Sequence, residues 1–319
     1  MGGTAWSDEH YRSRAKRLRK SGRSAFGYDE DVRAQRVVEG VHKMMDPARI
    51  RGGIRESRDS EAHPRSRAVT VLFDVTGSML EAPRILQKNL CSLFGLLLKK
   101  DYLEDPAVLV GAVGDATCDV APLQVGQFES GNEIEDDLSR LYLEGGGGGG
   151  MRESYELALY FLARKTEMDC LEKRGQKGYA FLLGDEKPYG KVKRREVKEV
   201  FGDDIPKDVP IARIIEEVRE KHELFFIIPN LTSYYNDKQI LNCWRKLLGQ
   251  NVLRLDDPAG VSELIASTIG LSEDAVGHED LSAELCKAGT GSKVAEAVAS
   301  ALAHVTRTAG PRGAGLSKL

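Results

Sequence analysis

The sequence predicts an α/β protein with an open, mostly parallel, doubly wound sheet, helices on both faces and one antiparallel edge strand. Three observations predict this fold. Short apolar, β-branched runs alternate with amphipathic helical segments over residues 68–269, as in parallel sheets with crossover helices. The runs at residues 68–73, 107–113 and 178–183 are each followed within two residues by an aspartate, at the sheet edge where such folds bind ligands. The 319 residues are 41% hydrophobic, which is enough for a large core.

The apolar runs predict the strands. In chain order these are residues 68–73, 107–113, 120–128, 178–183, 224–228 and 251–255. The run 120–128 is assigned to the antiparallel edge strand because only a short connection separates it from the run before it. The helical periodicity predicts helices over residues 29–45, 83–102, 133–142, 155–165, 190–200, 211–222, 239–248 and 261–269. Trp244 is expected in the core, and His222 is expected to be a charge at the carboxyl end of its helix.

The chain divides into three regions. Residues 1–66 form a basic and polar N-terminal extension without a periodic apolar pattern, and residues 67–272 form the α/β domain. Residues 273–319 form a tail rich in small residues, helical over 293–304 and disordered from 306. Five dispersed cysteines without a CxxC pair indicate a reduced, cytoplasmic protein. No apolar run is long enough to span a bilayer, so membrane association is not expected.

The first strand ends in a loop with oxygen-bearing side chains at alternate positions, namely Asp74, Thr76 and Ser78. One carboxylate and two hydroxyls at this spacing can surround a hard cation. Mg²⁺ is the natural occupant, and Mn²⁺ and Ca²⁺ are compatible. Gly77 is expected to let the loop bend. The alternative is a plain helix N-cap at Thr76 or Ser78.

A run of six glycines, residues 145–150, precedes the helix predicted from residue 155. Ordering such a run costs backbone entropy, which suggests a loop that approaches another group closely or moves. Phosphate binding at the helix N-terminus is one possibility. However, the run follows a helix and lacks Gly-Lys-Ser/Thr, so neither a P-loop nor a dinucleotide fingerprint is supported. A flexible linker is the alternative.

Three sequence features together resemble those of the von Willebrand factor A (VWA) domain family. They are the Asp-x-Thr-x-Ser loop that begins at Asp74, the glycine-rich loop before a helix, and Gly-Asp-Glu at residues 184–186. Ser78-Met79 is typical of the family's intracellular members. The resemblance covers residues 68–270 and implies a metal-ion-dependent adhesion site (MIDAS) at the carboxyl edge of the sheet.

Matched residue by residue, the resemblance implies that Asp74, Thr76 and Ser78 are first-loop ligands and that Asp185 holds the metal through a water. The family's second-loop threonine has no clear counterpart here. The polar candidates at that place are Glu153 and Ser154. Glu153 as a ligand would add a negative charge and reduce the metal's attraction for an acidic partner group.

The resemblance also implies a non-catalytic module that recognises a protein partner, whose Asp or Glu completes the metal shell. For intracellular bacterial members it implies an AAA+ ATPase of the MoxR type as the partner.

Two alternatives remain open. A haloacid-dehalogenase-like phosphatase would use Asp74 as nucleophile, but the acid/base aspartate expected two residues later is Thr76. A nucleic-acid-associated protein is suggested by residues 11–23, which hold seven basic residues and no acidic one. The net charge of −3 does not favour a dedicated nucleic-acid binder, and this block can equally be a solvated, mobile arm.

Overall fold

The computed structural model describes residues 6–21, 27–38, 40–90, 92–146 and 150–305. Its strands are β1 (Arg55–Ser57), β2 (Ser66–Asp74), β3 (Asp105–Val113), β4 (Leu123–Val125), β5 (Arg152–Glu153), β6 (Thr166–Met168), β7 (Gly178–Leu183), β8 (Lys187–Pro188), β9 (Lys191–Val192), β10 (Val209–Pro210), β11 (His222–Pro229) and β12 (Val252–Leu255). Its α-helices are α1 (Asp8–Ser21), α2 (Gly27–Arg33), α3 (Ala82–Leu90), α4 (Leu93–Lys99), α5 (Ile134–Arg140), α6 (Tyr155–Arg164), α7 (Asp169–Arg174), α8 (Arg194–Phe201), α9 (Ile211–Lys221), α10 (Lys238–Leu248), α11 (Val261–Ser272), α12 (Leu281–Lys287) and α13 (Ser292–Leu302).

A six-stranded sheet forms the centre of the molecule, in the strand order β12-β11-β7-β2-β3-β4. The first five strands in this order run parallel, and β4 is antiparallel to β3 at the edge. Every residue of β7 is buried, as expected for a parallel strand covered on both faces. The predicted fold class and the predicted antiparallel edge strand are confirmed.

Alternate residues of the central strands face two separate cores, because successive side chains of a strand point to opposite faces. Val69 and Val71 of β2 pack on one face with residues of α3, α4, α5, α11 and α13. Leu72 packs on the other face with residues of α6, α9 and α10. On that second face Trp244 stacks on Phe226 with 3.7 Å between ring centroids. Trp244 is therefore a core residue, as predicted.

The single helix predicted over residues 83–102 is instead two helices, α3 and α4. The carbonyl of Asn89 accepts hydrogen bonds from the Ser92 N–H at 3.0 Å, the Ser92 Oγ at 2.7 Å and the Ser262 Oγ at 2.6 Å. In a continuous α-helix this carbonyl would accept from the N–H four residues later, and these donors take the place of that N–H. The break therefore depends partly on a residue of α11 far away in the chain.

The prediction for His222 is wrong. Helix α9 ends at Lys221, and His222 begins β11 as a fully buried residue. Burial lowers the pKa of His222 to about 3, so the ring is neutral near pH 7. Its Nε2 atom lies 3.3 Å from Thr166 Oγ1.

The described part of the predicted N-terminal extension packs on the domain at two places. Trp6 stacks on Phe94 with 5.5 Å between ring centroids. β1 pairs in parallel with β6, outside the central sheet. Buried Arg55 of β1 donates to the carbonyls of Met44 at 3.0 Å and Val125 at 3.1 Å. The polar segment before β2 thus gains order from polar contacts, which leave no apolar periodicity in the sequence.

Helices α12 and α13 lie in the region predicted as a C-terminal tail. Their apolar residues join the core on the α11 face, namely Leu281, Leu285, Ala295, Val298 and Leu302. The disorder predicted from residue 306 falls outside the described residues, as do residues 22 and 23 of the basic block. None of the described helices combines the length and the hydropathy needed to cross a membrane.

Candidate metal centre

The carboxyl ends of the parallel strands meet at one edge of the sheet, and three aspartates lie there. Asp74 is the last residue of β2, Asp115 follows β3 by two residues, and Asp185 follows β7 by two residues. All three side chains are buried. This edge is where open α/β sheets bind ligands.

Asp74 is fully buried, and both of its carboxylate oxygens accept hydrogen bonds. Oδ1 accepts from the N–H of Thr76 at 2.8 Å and from the Thr76 Oγ1 at 2.6 Å, and Oδ2 accepts from the Tyr155 hydroxyl at 2.5 Å. Burial raises the pKa of Asp74, while these hydrogen bonds act to lower it. The carboxyl group is thereby held in a single orientation.

Tyr155 was not among the residues that the sequence singled out. Its ring makes edge contacts with Phe226 and Trp244 at centroid distances of 5.5 and 5.4 Å. A Cβ atom at Gly184 would lie 1.9 Å from the Tyr155 hydroxyl oxygen, so residue 184 has to be glycine. A tyrosine in an apolar helix signals a buried hydroxyl that needs a partner, but the sequence does not identify Asp74 as that partner.

Ser78 and Asp185 meet although they lie 107 positions apart in the chain. The Ser78 Oγ donates to Asp185 Oδ1 at 2.7 Å and lies 3.4 Å from the Thr76 Oγ1. Asp185 Oδ2 accepts from the N–H of Tyr234 at 2.9 Å. Burial raises the pKa of Asp185, and the hydrogen bond from Ser78 opposes this effect. The four residues matched to the VWA motif thus form one hydrogen-bonded group.

The two second-loop candidates, Glu153 and Ser154, face different neighbours. The Ser154 Oγ accepts from the N–H of Ala116 at 2.9 Å and donates to Asp115 Oδ1 at 3.5 Å. Glu153 is 3% exposed, and its pKa is raised by burial first and by the charge of Asp74 next. The Glu153 side chain hydrogen-bonds with Glu186 in the loop after β7, whereas Ser154 is directed to the loop after β3.

Glu186 is a further acidic residue of this group that the sequence reasoning did not select as a ligand. Its side chain is 6% exposed. Burial raises its pKa, and hydrogen bonds to Glu153 and Ser78 lower it. The only signal in the sequence is its position directly after Asp185.

The glycine-rich loop closes against the first loop. The N–H of Gly77 donates to the carbonyl of Gly146 at 2.5 Å, and that of Gly145 donates to the carbonyl of Val75 at 3.0 Å. A Cβ atom at Gly77 would lie 3.0 Å from the Gly146 carbonyl oxygen. The absence of a side chain at Gly77 therefore permits the close approach of the glycine-rich loop. This is a different role from the bend in the first loop that the sequence predicts for Gly77. Residues 147–149 lie outside the described part of the chain.

The chemistry of these donors fits a hard divalent cation. The possible donors are all oxygen atoms, which suit Mg²⁺, Mn²⁺ and Ca²⁺ better than softer metals. They belong to the carboxyl groups of Asp74, Glu153, Asp185 and Glu186 and to the hydroxyls of Thr76 and Ser78. Buried carboxylates require compensation by a positive charge. Within the described ranges no three acidic, histidine or cysteine side chains already converge as a metal-binding group. Several of the oxygens instead hydrogen-bond to one another.

A scan of the chain against protein-family models finds no match, and a search of curated proteins finds none. Among solved structures, proximal thread matrix protein 1 from the mussel byssus is similar at 12% identity and a TM-score of 0.42, covering 65% of this chain and 48% of that one. A form of that protein described with a zinc-occupied MIDAS motif matches at 10% identity and a TM-score of 0.42, covering 66% of this chain and 46% of that one.

The pilus adhesin SpaC from Lactobacillus rhamnosus GG, in its open conformation, matches at 9% identity and a TM-score of 0.45. The match covers 67% of this chain and 31% of the adhesin. This chain therefore spans less than half the length of each of these solved chains. Identities and TM-scores of this size carry no argument about function.

Proposed function

We propose that this protein is a non-catalytic, VWA-like interaction module that holds a divalent cation at the carboxyl edge of its sheet and binds a protein partner there. The observation that carries the proposal is the contact of Ser78 with Asp185 beside Asp74, three oxygen-bearing side chains gathered from two distant loops. The oxygen-only donors favour Mg²⁺ as the cation.

In this proposal Asp74, Ser78 and Asp185 would hold the cation. The cation would supply a positive charge and a coordination position at an edge that is otherwise acidic. Thr76 and Tyr155 keep the Asp74 carboxylate oriented through their hydrogen bonds. The surrounding residues thus orient the donors before any partner arrives, which reduces the ordering needed on binding.

The rim of this edge also supports partner binding. The N–H of Ser233 donates to the carbonyl of Ser78 at 2.8 Å, so the loop after β11 lies against the first loop. Leu80 and Leu231 lie two positions along the chain from Ser78 and Ser233, and they are 62% and 54% exposed. Exposed apolar side chains mark a protein-binding surface where they form one patch rimmed by polar residues.

The finer details are also proposals. The first, from the resemblance alone, is a MoxR-type AAA+ ATPase as the partner. A cytoplasmic location is also a proposal, and it is supported by the five dispersed cysteines without a CxxC pair. An enzymatic role is not proposed, since Asp74 is fully buried with both oxygens hydrogen-bonded, which disfavours it as a nucleophile.

Nucleic-acid binding through residues 11–23 remains the second candidate. Part of that charge is already neutralised, because Arg14 pairs with Asp136 at 2.6 Å and with Glu135 at 3.4 Å. Binding of an oligonucleotide that weakens steeply with salt and is lost on deleting residues 1–23 would support this function.

The proposed function predicts that Mg²⁺ and Asp74 are both required for partner capture. Pull-downs with the full chain should recover the same partner in Mg²⁺ buffer and lose it in EDTA or with Asp74→Ala. Asp204→Ala is the matched control, because Asp204 is an exposed carboxylate paired at the surface with Arg194. Equal recovery in EDTA and with Asp74→Ala would contradict the proposal.

A further inference from the structure

Glu153 is a buried acid with unused hydrogen-bonding capacity. The residue is 3% exposed, and its Oε2 atom has no hydrogen-bond partner among the described residues. Leaving a buried polar atom unpaired destabilises the fold, and a charged group destabilises it more. A bound ligand at this position would remove that destabilisation.

The surroundings of Glu153 are acidic. After burial, the strongest influences on its pKa are the charges of Asp74, Glu186, Asp115 and Asp119, and all of them raise it. The Glu153 carboxyl group also hydrogen-bonds with Glu186. It therefore lies among other acidic side chains, where a cation is the ligand that electrostatics favours.

Backbone hydrogen bonds hold Glu153 in this place from two sides. Its strand, β5, pairs in parallel with β8, where Glu153 is opposite Pro188. On the other side, the N–H of Ser154 donates to the carbonyl of Gly114 at 3.2 Å. Glu153 is thus tied to the loops that follow β7 and β3, and the first of these loops carries Asp185.

We propose that Glu153 is a cation ligand supplied by this chain at the position where the VWA resemblance implies a threonine. The inference rests on the proposed metal centre. A carboxylate in place of a hydroxyl adds one negative charge to the acidic group that includes Asp74 and Glu186, so the chain itself holds the cation more tightly. The added charge also opposes the approach of a partner's Asp or Glu. The partner is then bound through neutral contacts, including the exposed Leu80 and Leu231, without a carboxylate on the metal.

The test is a titration of the full chain with Mn²⁺, in which electron paramagnetic resonance measures the free ion. Glu153→Gln should weaken Mn²⁺ binding by at least about 10-fold, because loss of a residue that only supports the ligands already costs about 10- to 100-fold. Glu156→Gln is the matched control. Glu156 is also buried with an unpaired carboxyl oxygen, but the charges acting on it are those of Glu196 and Lys193. The control should bind Mn²⁺ as the wild type does.

A second measurement uses acetate as a stand-in for a partner carboxylate. Acetate should leave the Mn²⁺ affinity of the wild type unchanged and should strengthen Mn²⁺ binding by Glu153→Thr, in which a hydroxyl replaces the carboxylate. Thermal unfolding of every variant in EDTA checks that each one folds. We expect Glu153→Gln to unfold at or above the wild-type temperature, since it removes a buried acid from an acidic cluster.

The outcomes separate the two proposals. If the wild type binds no Mn²⁺, both the metal centre and the role of Glu153 are overturned. If the wild type binds Mn²⁺ and Asp74→Ala does not, but Glu153→Gln binds within twofold of the wild type, only the role of Glu153 is overturned. Stronger Mn²⁺ binding by the wild type in acetate would also overturn that role.

Discussion

Glu153 and Ser154 are adjacent in the chain, yet Glu153 hydrogen-bonds with Glu186 and Ser154 hydrogen-bonds to the loop of Asp115. Sequence reasoning placed both at the same site because it could not assign a direction to either side chain. The direction is fixed by the pairing of β5 with β8 and by the hydrogen bond between the Ser154 N–H and Gly114. Single residues at this edge therefore take their roles from backbone contacts that are distant in sequence.

At the residue scale, Gly184→Ala should destabilise the protein. The added Cβ atom would meet the Tyr155 hydroxyl oxygen at 1.9 Å, and the ring cannot retreat because Phe226 and Trp244 pack against it. Overpacking of this kind costs about 1–3 kcal/mol. Chemical denaturation measures the change. Gly190→Ala is the control, since nothing lies within 4 Å of its Cβ position, and equal stabilities of the two variants would contradict the expectation.

A second residue-scale prediction concerns the pH dependence of stability. His222 is neutral in the fold with a pKa lowered to about 3 by burial, whereas an unfolded histidine titrates near pH 6.5. The unfolded state therefore binds an extra proton between these values, and stability falls as the pH drops from about 6.5 towards 3, by up to about 1.4 kcal/mol per pH unit.

His222→Phe should remove this contribution. The difference in unfolding free energy between wild type and variant should be constant above pH 7 and should shift in favour of the variant as the pH falls below 6.5. Urea denaturation at several pH values measures it. Parallel pH profiles for the two proteins would show that His222 does not carry the effect.

At the scale of elements, α1 shows how a segment without apolar periodicity becomes part of the structure. The segment of residues 11–23 was predicted as either a nucleic-acid contact or a mobile arm, and its described part is a helix. Arg14 anchors α1 to α5 through Glu135 and Asp136, and the N–H of Ser7 donates to Asn132 Oδ1 at 2.9 Å. Side-chain pairing to a neighbouring helix leaves no signal in the hydrophobic pattern.

The docking of α1 is expected to be a local property. Arg14→Ala should increase amide hydrogen exchange over residues 8–21 while lowering global stability by less than about 1 kcal/mol, because partly exposed ion pairs contribute little. Mass spectrometry of the exchanged peptides measures the effect. Arg17→Ala, on an exposed position of the same helix, should leave the exchange unchanged. Unaltered protection in Arg14→Ala would mean that other contacts hold α1.

At the scale of the whole molecule, the parallel sheet gathers acidic side chains at one edge and leaves their charge to be compensated. Asp74, Glu153, Asp185 and Glu186 are all buried there. The same topology that forms the candidate site therefore destabilises the metal-free fold, because it buries several acidic side chains close together.

A cation that binds this edge should stabilise the entire fold by mass action. At a free Mg²⁺ concentration about 100-fold above its Kd, the expected gain in unfolding free energy is about 2.7 kcal/mol. Thermal unfolding across a Mg²⁺ series measures it, with NaCl at matched ionic strength as the control. The gain should be absent in Asp74→Ala, and an equal shift with NaCl would indicate general screening instead of a bound cation.

Local sequence patterns were sufficient to predict the fold class, the antiparallel edge strand and the burial of Trp244 in the core. These features follow from local hydrophobic period and connection length, which a single chain displays directly. The sequence also placed Asp74 and Asp185 at one edge, because the carboxyl ends of parallel strands meet there. These inferences needed no knowledge of which side chains touch.

The contacts between side chains within the candidate site could not be predicted from local patterns and are known from the folded structure. The contact of Tyr155 with Asp74, the proximity of Glu153 to Glu186 and the neutral state of His222 all depend on elements that are far apart in sequence. A side chain's direction and desolvation are set by the neighbours that packing supplies, and packing is a property of the whole fold. For this reason the sequence pattern located the candidate site, while the folded structure determined which side chains contact one another there.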